Sequence, residues 1–264
     1  MPHRVPINMN QTRIALKDAA AAADTVRIRT QGGESTSKVI HSAAVGGNAE
    51  IFPQLLKLHV PRGAVIADVT YGKGVFWRNV NLNDYELRAT DIQGGVDATD
   101  LPYRDDSLDA LVLDPPYMEG LFRKNATHMA GGGSHAAFRE HYSDGKATKP
   151  RDGAPKWHDA VLDLYFRAGI EAKRCLKIGG IFIVKCQDEV SANRQRLTHV
   201  ELINTFEAHD FYCKDLFEVV RTNKPGMSRV KKQVHARKNH SYFLVFVLSR
   251  PGMAHKAKSV AVPD

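Results

Sequence analysis

A chain of 264 residues that is 43% hydrophobic can bury a full core, and its net charge of +8 points toward a polyanionic partner unless its lysines and arginines are evenly scattered. No apolar run reaches the roughly 18 residues of a membrane span, and the N-terminus lacks an apolar signal core, so a cytoplasmic protein with no membrane partner is expected. Cys175, Cys186 and Cys213 lie far apart with no C-x-x-C pair, which argues against a zinc knuckle or disulfide framework and for reduced, buried thiols.

Residues 1–38 show weak periodicity, an alanine run in ALKDAAAAADTVRIRTQGGESTS and a Gly/Ser-rich break. They read as a flexible arm with a short helix. From there to about residue 250 one domain is expected. IFPQLLKLHVPRG has the apolar spacing of a helix that stops before Pro61 and Gly63. AVIAD follows as a strand, then a helix after Gly74, a strand at YELRATD, a loop through GGVDATDLPYRDDS and a strand at LDALVLD. Residues 118–157 form a long, Gly-rich, polar insertion, either plain loop or a lid that orders on substrate. WHDAVLDLYFRAGIEAKRCLKIGG reads as an amphipathic helix closed by glycines, and IFIVKCQD as a strand. LTHVELINTFEAHD supplies one more helix. DLFEVV and SYFLVFVLS read as two late strands joined by a basic loop over 221–241, with residues 251–264 as a tail. Strands alternating with helices predict an α/β fold with a parallel, doubly wound sheet.

In such sheets ligands bind outside the carboxyl ends of the strands. LVLDPPY places Asp114 as the first polar group past a buried strand. Pro115 fixes its own φ and holds Asp114 out of helical geometry, and Pro116 does the same to Pro115. Tyr117 ends this stiff turn with a flat face. A carboxylate, a rigid carbonyl and an aromatic plate suit a planar molecule bearing an amino group; the alternative is a proline-rich turn closed by a half-buried tyrosine. After AVIAD, Gly72 and Gly74 in VTYGKG let the backbone turn sharply and approach a ligand, with Asp68 as an acid at the rim, although glycines alone also make ordinary turns. The pattern is neither G-x-G-x-x-G nor a P-loop, so Lys73 is a poor phosphate ligand. Asp91 ends the second strand a little over twenty residues after Asp68, where an acid commonly bonds ribose hydroxyls. Asp97 in VDATDLPY offers a third carboxylate. Each acid alone could be a solvated loop residue; together they describe a pocket for a ribosyl-adenine ligand.

In the order glycine loop, ribose acid, DATDLP and D-P-P-Y, residues from about Ile40 to Ser249 resemble the class I S-adenosylmethionine-dependent amino-methyltransferases that act on exocyclic nitrogens of nucleic-acid bases. HSAAVGGNAEIFPQLLKLHV resembles the helix before that family's glycine loop, and ARKNHSYFLVFVLSR its closing strand. The resemblance implies a Rossmann-like, mostly parallel seven-stranded sheet with an antiparallel late strand. It further implies S-adenosyl-L-methionine as cofactor, with Asp68, Thr70, Gly72 and Gly74 against the methionine part, Asp91 on the ribose, and Asp97 with the Ala98 backbone on the adenine. Thr70 stands where the family usually shows an aromatic residue, with Tyr71 before the first glycine.

An exocyclic amino nitrogen is a poor nucleophile because its lone pair is delocalised into the ring. Asp114 and the Pro115 carbonyl can each accept one of its N–H bonds and aim the lone pair at the methyl group, while Pro116 keeps the turn rigid and Tyr117 stacks on a base flipped from the duplex. No metal is required or suggested by the scattered histidines. Between Glu218 and Asp264 there is no acid, whereas Arg221, Lys224, Arg229, Lys231, Lys232, Arg237, Lys238 and Arg250 cluster around the last connection, as expected for phosphate contact. DNA adenine N6 is favoured as the target. An RNA enzyme acting on guanine N2 or adenine N6, and a catalytically silent nucleic-acid-binding protein, are the alternatives.

Overall fold

A computed structural model of the protein describes residues 39–117, 155, 158–222 and 232–251. Its elements run β1 (Ala43–Val45), α1 (Asn48–His59), β2 (Val65–Asp68), two short 3-10 segments (Val75–Asn79 and Leu82–Asp84), β3 (Glu86–Ala89), β4 (Leu108–Leu113), α2 (His158–Cys175), β5 (Leu176–Cys186), β6 (Glu189–Ser191), β7 (Arg194–Arg196), α3 (Thr198–Glu207), β8 (Phe211–Val220) and β9 (His240–Leu248). Apart from Val39, the described residues belong to a unit spanning Ile40–Asp264.

Seven strands form one sheet in the order β1-β8-β9-β5-β4-β2-β3. β9 runs antiparallel to both β5 and β8, and the other pairings are parallel. This is the Rossmann-like, mostly parallel sheet with an antiparallel late strand that the sequence led us to expect. Two elements carry no clear signal in the sequence: the edge strand β1, and the separate β6–β7 hairpin that follows β5.

Both faces of the sheet are covered, which is why β4 is a near-continuous apolar run. On one face Phe182, Val184 and Cys186 pack with Tyr165 and Ala172 of α2 and with Leu202 and Phe206 of α3. On the other, Ile181, Ile183, Phe243 and Val245 meet Phe52, Leu55 and Leu56 of α1. Phe52 is fully buried, with its ring 5.2 Å from Phe76 and 5.8 Å from Phe243, and burial of such a side chain stabilises by about 1.5–3 kcal/mol.

α1 begins where Glu50 accepts the Gly47 amide at 2.8 Å, and it contains Pro53. Proline has no N–H to offer the carbonyl of Ala49. That carbonyl instead accepts the Asn79 side-chain amide at 3.1 Å, which ties the first 3-10 segment to α1.

Two expectations need correction. The helix after Gly74 is only the five-residue 3-10 segment Val75–Asn79. Its last residue, Asn79, donates its side-chain amide to the Ala49 carbonyl, and Asn81 accepts the Asn83 amide, side-chain bonds to backbone that compete with continued helix. The second correction concerns the glycines of LKIGG, which do not close α2. The helix passes directly into β5 at Cys175, and the glycines lie in a bulge: Leu176 pairs with Leu108 and Ile181 with Ala110, so β5 advances five residues while β4 advances two. Gly180 is required there, because a Cβ would lie 2.7 Å from the Lys177 carbonyl.

Candidate functional site

β2 and β4 are neighbours, but the chain leaves β2 toward β3 and leaves β4 toward β5 on the opposite side. The crevice at their carboxyl ends is therefore a topological switch point, where open α/β sheets bind ligands. Asp68 ends β2 and Asp114 follows β4. The two loops are joined by backbone and side chain: the Val69 amide donates to the Val112 carbonyl at 3.2 Å, and the Asp114 amide donates to the Thr70 hydroxyl at 2.6 Å. Gly74 adopts φ 62°, and the Tyr71 ring lies so close over it that a Cβ would sit 2.5 Å from the phenolic oxygen. A cavity of about 150 Å³ opens here, lined among others by Asp68, Thr70, Gly72, Lys73, Phe76 and Asp114.

The structure thus brings together Asp68, Thr70, Gly72 and Asp114, with Gly74 closing the turn. Asp91, Asp97 and Ala98 are not in that lining. The Asp91 Oδ1 accepts the Gly94 amide at 2.8 Å. The Asp97 Oδ1 accepts both the amide and the hydroxyl of Thr99, at 2.8 and 2.9 Å, and Ala98 packs on the core.

Asp68 is not an acid at the rim. It is 3% exposed, accepting the Trp77 indole N–H at 2.7 Å on Oδ2 and the Thr70 amide at 3.1 Å on Oδ1. Burial pushes its carboxyl up to about 7, against the downward pull of those two bonds, and the Asp114 charge adds to the rise. The buried strand end has no solvent to offer this carboxylate, so Trp77 does so instead; the indole's role has no signature in the sequence.

Burial also pushes the Asp114 carboxyl above the ordinary carboxylate range, while a hydrogen bond from Tyr117 and the charges of Lys185 and Arg221 pull it down. Pro115 is buried, and Pro116 and Tyr117 are half-buried. The Tyr117 hydroxyl donates to Asp114 Oδ1. Sequence reasoning assigned Tyr117 the role of a stacking plate; in the structure its hydroxyl also fixes one oxygen of the carboxylate, because the stiff turn brings the ring back over Asp114.

Lys185 was missed altogether. It lies at the end of β5, fully buried, with its ammonium 3.9 Å from the centroid of the Phe243 ring. The signal was present as a lone cation in phase with Ile181 and Ile183, at an inward position of IFIVKCQD.

A second cleft, of about 500 Å³, lies between the D-P-P-Y turn and the last connection, with Tyr117, Asp188, Glu189, Lys232, Arg237 and Lys238 among its lining. Its acidic wall is held from behind: His158 bonds Glu189 at 2.7 Å and Glu201 at 3.2 Å, and His199 bonds Asp188 at 2.7 Å. Of the expected basic strip, Lys232, Arg237 and Lys238 therefore meet this cleft. Arg221, just past β8, donates its amide to the Asn239 carbonyl at 2.7 Å. Lys224, Arg229 and Lys231 lie outside the described residues, as do residues 1–38, nearly all of the 118–157 insertion and most of the 251–264 tail. Among the described residues no helix is long and apolar enough to cross a membrane, and no group of three or more His, Cys, Asp or Glu is placed to hold a metal ion.

No protein-family profile matches the chain, and no curated protein matches it. Among solved structures it is similar to the cytosine-N4-specific PvuII DNA methyltransferase (13% identity, 58% of this chain and 48% of that one, TM-score 0.37). It is also similar to TrmN from Thermus thermophilus (14%, 75% and 48%, 0.41). A third is the 1,6-didemethyltoxoflavin-N1-methyltransferase of Burkholderia thailandensis, solved with S-adenosylhomocysteine (11%, 95% and 94%, 0.44). The chain spans about half the length of the first two. Identities and superpositions this low identify neither an activity nor a substrate.

Proposed function

We propose that the protein is an S-adenosylmethionine-dependent methyltransferase acting on an exocyclic amino group of a nucleic-acid base, with N6 of adenine in DNA as the favoured target. The observation that carries this reading is the hydrogen bond from the Asp114 amide to the Thr70 hydroxyl, which locks the D-P-P-Y turn to the glycine turn at the switch point of the sheet. Two carboxyl groups, a glycine turn and Lys73 edge one cavity. That set suits a zwitterionic amino-acid arm bearing a further positive charge, with Asp68 toward the cations and Lys73 toward the carboxylate, which leaves Asp114 to the methyl acceptor. Asp91 would take the ribose and Asp97 with Ala98 the adenine.

When bound, the cofactor supplies a methyl group on a positively charged sulfur. The chain's own residues prepare the acceptor. Tyr117 holds Oδ1 of Asp114, so Oδ2 and the Pro115 carbonyl are the acceptors offered to the two N–H bonds of the target amine. Accepting both draws the nitrogen out of conjugation and directs its lone pair, a gain that grows toward the transition state. The neighbouring cleft is lined by acids, by cations and by Tyr117, a set that suits a base edge together with phosphates.

Genomic DNA and bulk RNA from cells expressing the protein or its Asp114→Ala variant should be digested and assayed for modified nucleosides by mass spectrometry. N6-methyladenine in DNA that depends on Asp114 is the expected result. A methylated base confined to RNA would move the substrate to that polymer. Activity unchanged by Asp114→Ala would refute the site.

A further inference from the structure

A lysine with no exposed surface is uncommon unless it is paired, and Lys185 has none. Its ammonium nitrogen makes no hydrogen bond among the described residues. The ammonium lies over the face of Phe243, the residue paired with it across β5 and β9. Its backbone carbonyl is used separately, accepting the Tyr165 hydroxyl at 2.8 Å. Methionine would fill nearly the same volume without the cost of a desolvated charge, so packing does not account for a lysine here.

The register supplies a reason. Leu113 of β4 pairs with Val184 of β5 in parallel, so the next residues on the two strands are Asp114 and Lys185. We propose that Lys185 is a positioning residue for methyl transfer, its buried ammonium holding the adjacent Asp114 carboxylate ionised and able to accept the target N–H in a crevice dry enough to protonate it. This rests on the reading of Asp114 as the acceptor of the target amine.

The charged and titratable groups around Asp114 leave few substitutes for that role. Tyr117 donates from its own turn. Asp68, across β2, is an acid and acts in the opposite sense, each acid disfavouring ionisation of the other. Tyr165 and Cys186 also feel its charge, and burial keeps both neutral by pushing them up. Arg221, just past β8, and Lys73, on the same cavity as Asp114, are the other cations, but both are exposed residues where water and salt weaken their pull. On Lys185 itself burial presses the ammonium toward neutrality, and Asp114 is the largest influence restoring it. Each group of the pair thus favours the charged form of the other.

The test uses the full chain, its Lys185→Met variant of matched length, and Lys185→Arg, which keeps the charge. The Asp114 carboxyl is titrated by NMR on carboxyl-labelled aspartate, with the signal assigned through Asp114→Asn. Lys185→Met should raise the Asp114 midpoint by about one pH unit or more, and Lys185→Arg should leave it near the parent value. The acid limb of methyl transfer should move up with it, so that Lys185→Met loses activity severalfold at mildly acidic pH and regains it in more basic solution. Cofactor affinity should stay within about twofold, and the melting temperature should stay near the parent's, since the desolvation cost of the buried ammonium is removed together with its attraction for the Asp114 carboxylate. An Asp114 midpoint unmoved by Lys185→Met overturns the proposal whatever the activity, as does a Lys185→Met chain that no longer folds. If the midpoint moves while Asp114→Ala keeps full activity, it is the assignment of Asp114 to methyl transfer that falls, and the role of Lys185 in catalysis falls with it.

Discussion

Thr70 joins the two halves of the candidate site, and replacing it with valine isolates that function. The change swaps the hydroxyl for a methyl group of similar size, so no cavity is opened, but the Asp114 amide loses the acceptor it reaches at 2.6 Å. The longer 3.5 Å contact from the same hydroxyl to Asp68 Oδ1 goes too. A buried or half-buried amide left without a partner costs about 1–3 kcal/mol. In a domain of this size each kcal/mol lowers the melting temperature by about 2–4 °C, so Thr70→Val should melt several degrees below the parent. The effect on catalysis should be larger than the effect on folding, because a displacement of about 1 Å in a positioned group can cost around a hundredfold in rate. Thr70→Ser keeps the acceptor and should restore most of both. Thermal unfolding followed by circular dichroism and a methyl-transfer assay on the three proteins would decide the matter. If Thr70→Val melts with the parent, or if serine is as damaging as valine, the hydroxyl is not the link between the loops.

Two further outcomes follow from the electrostatics. Tyr117→Phe removes the donor to Asp114 Oδ1, so the carboxylate loses one of the influences holding it ionised; the rate should fall most on the acid side of the pH profile and recover in basic solution, and a uniform loss at every pH would point to the ring instead. Asp68 is raised from an ordinary 3.8 to about 7 in the fold, so between those values the native state holds a proton that the unfolded chain has released. Its contribution to stability is therefore full below about 4 and is lost as pH rises through about 7. Asp68→Asn, which can still accept from Trp77, should flatten that slope relative to the parent when both are unfolded by urea across the window, and parallel curves would show that Asp68 is not the group responsible.

Much of the sheet was legible because its strands are buried on both sides: VIAD, LDALVL and HSYFLVFVL need no partner to be recognised as strands. The site was legible in part, since Asp114 and the glycine turn sit at strand ends that the alternation of elements already marks. What escaped depends on contacts between segments distant in the chain. Nothing local announces that the Trp77 indole serves Asp68, that Tyr117 folds back on Asp114, or that Lys185 stands beside it. A longer helix is expected at Val75–Asn79 because the alternation of strands and helices calls for one after Gly74, whereas the asparagines there act through side-chain bonds. β1 escaped because three residues, two of them exposed, leave almost no pattern.

The bulge at the start of β5 separates two kinds of information carried by one continuous run of chain. Upstream of it, the length and rotation of α2 decide where the chain arrives; downstream, the pairing of Ile181–Cys186 with β4 and β9 decides which side chains face which side of the sheet. A strand without slack would transmit any change in helix length as a shift of one residue, turning Lys185 toward the face now held by Cys186 and Cys186 toward Asp114. Lys177–Gly180 absorbs such a change before it reaches the paired segment. A residue added to or removed from the end of α2 would therefore be taken up in the bulge and leave the charge beside Asp114 in place.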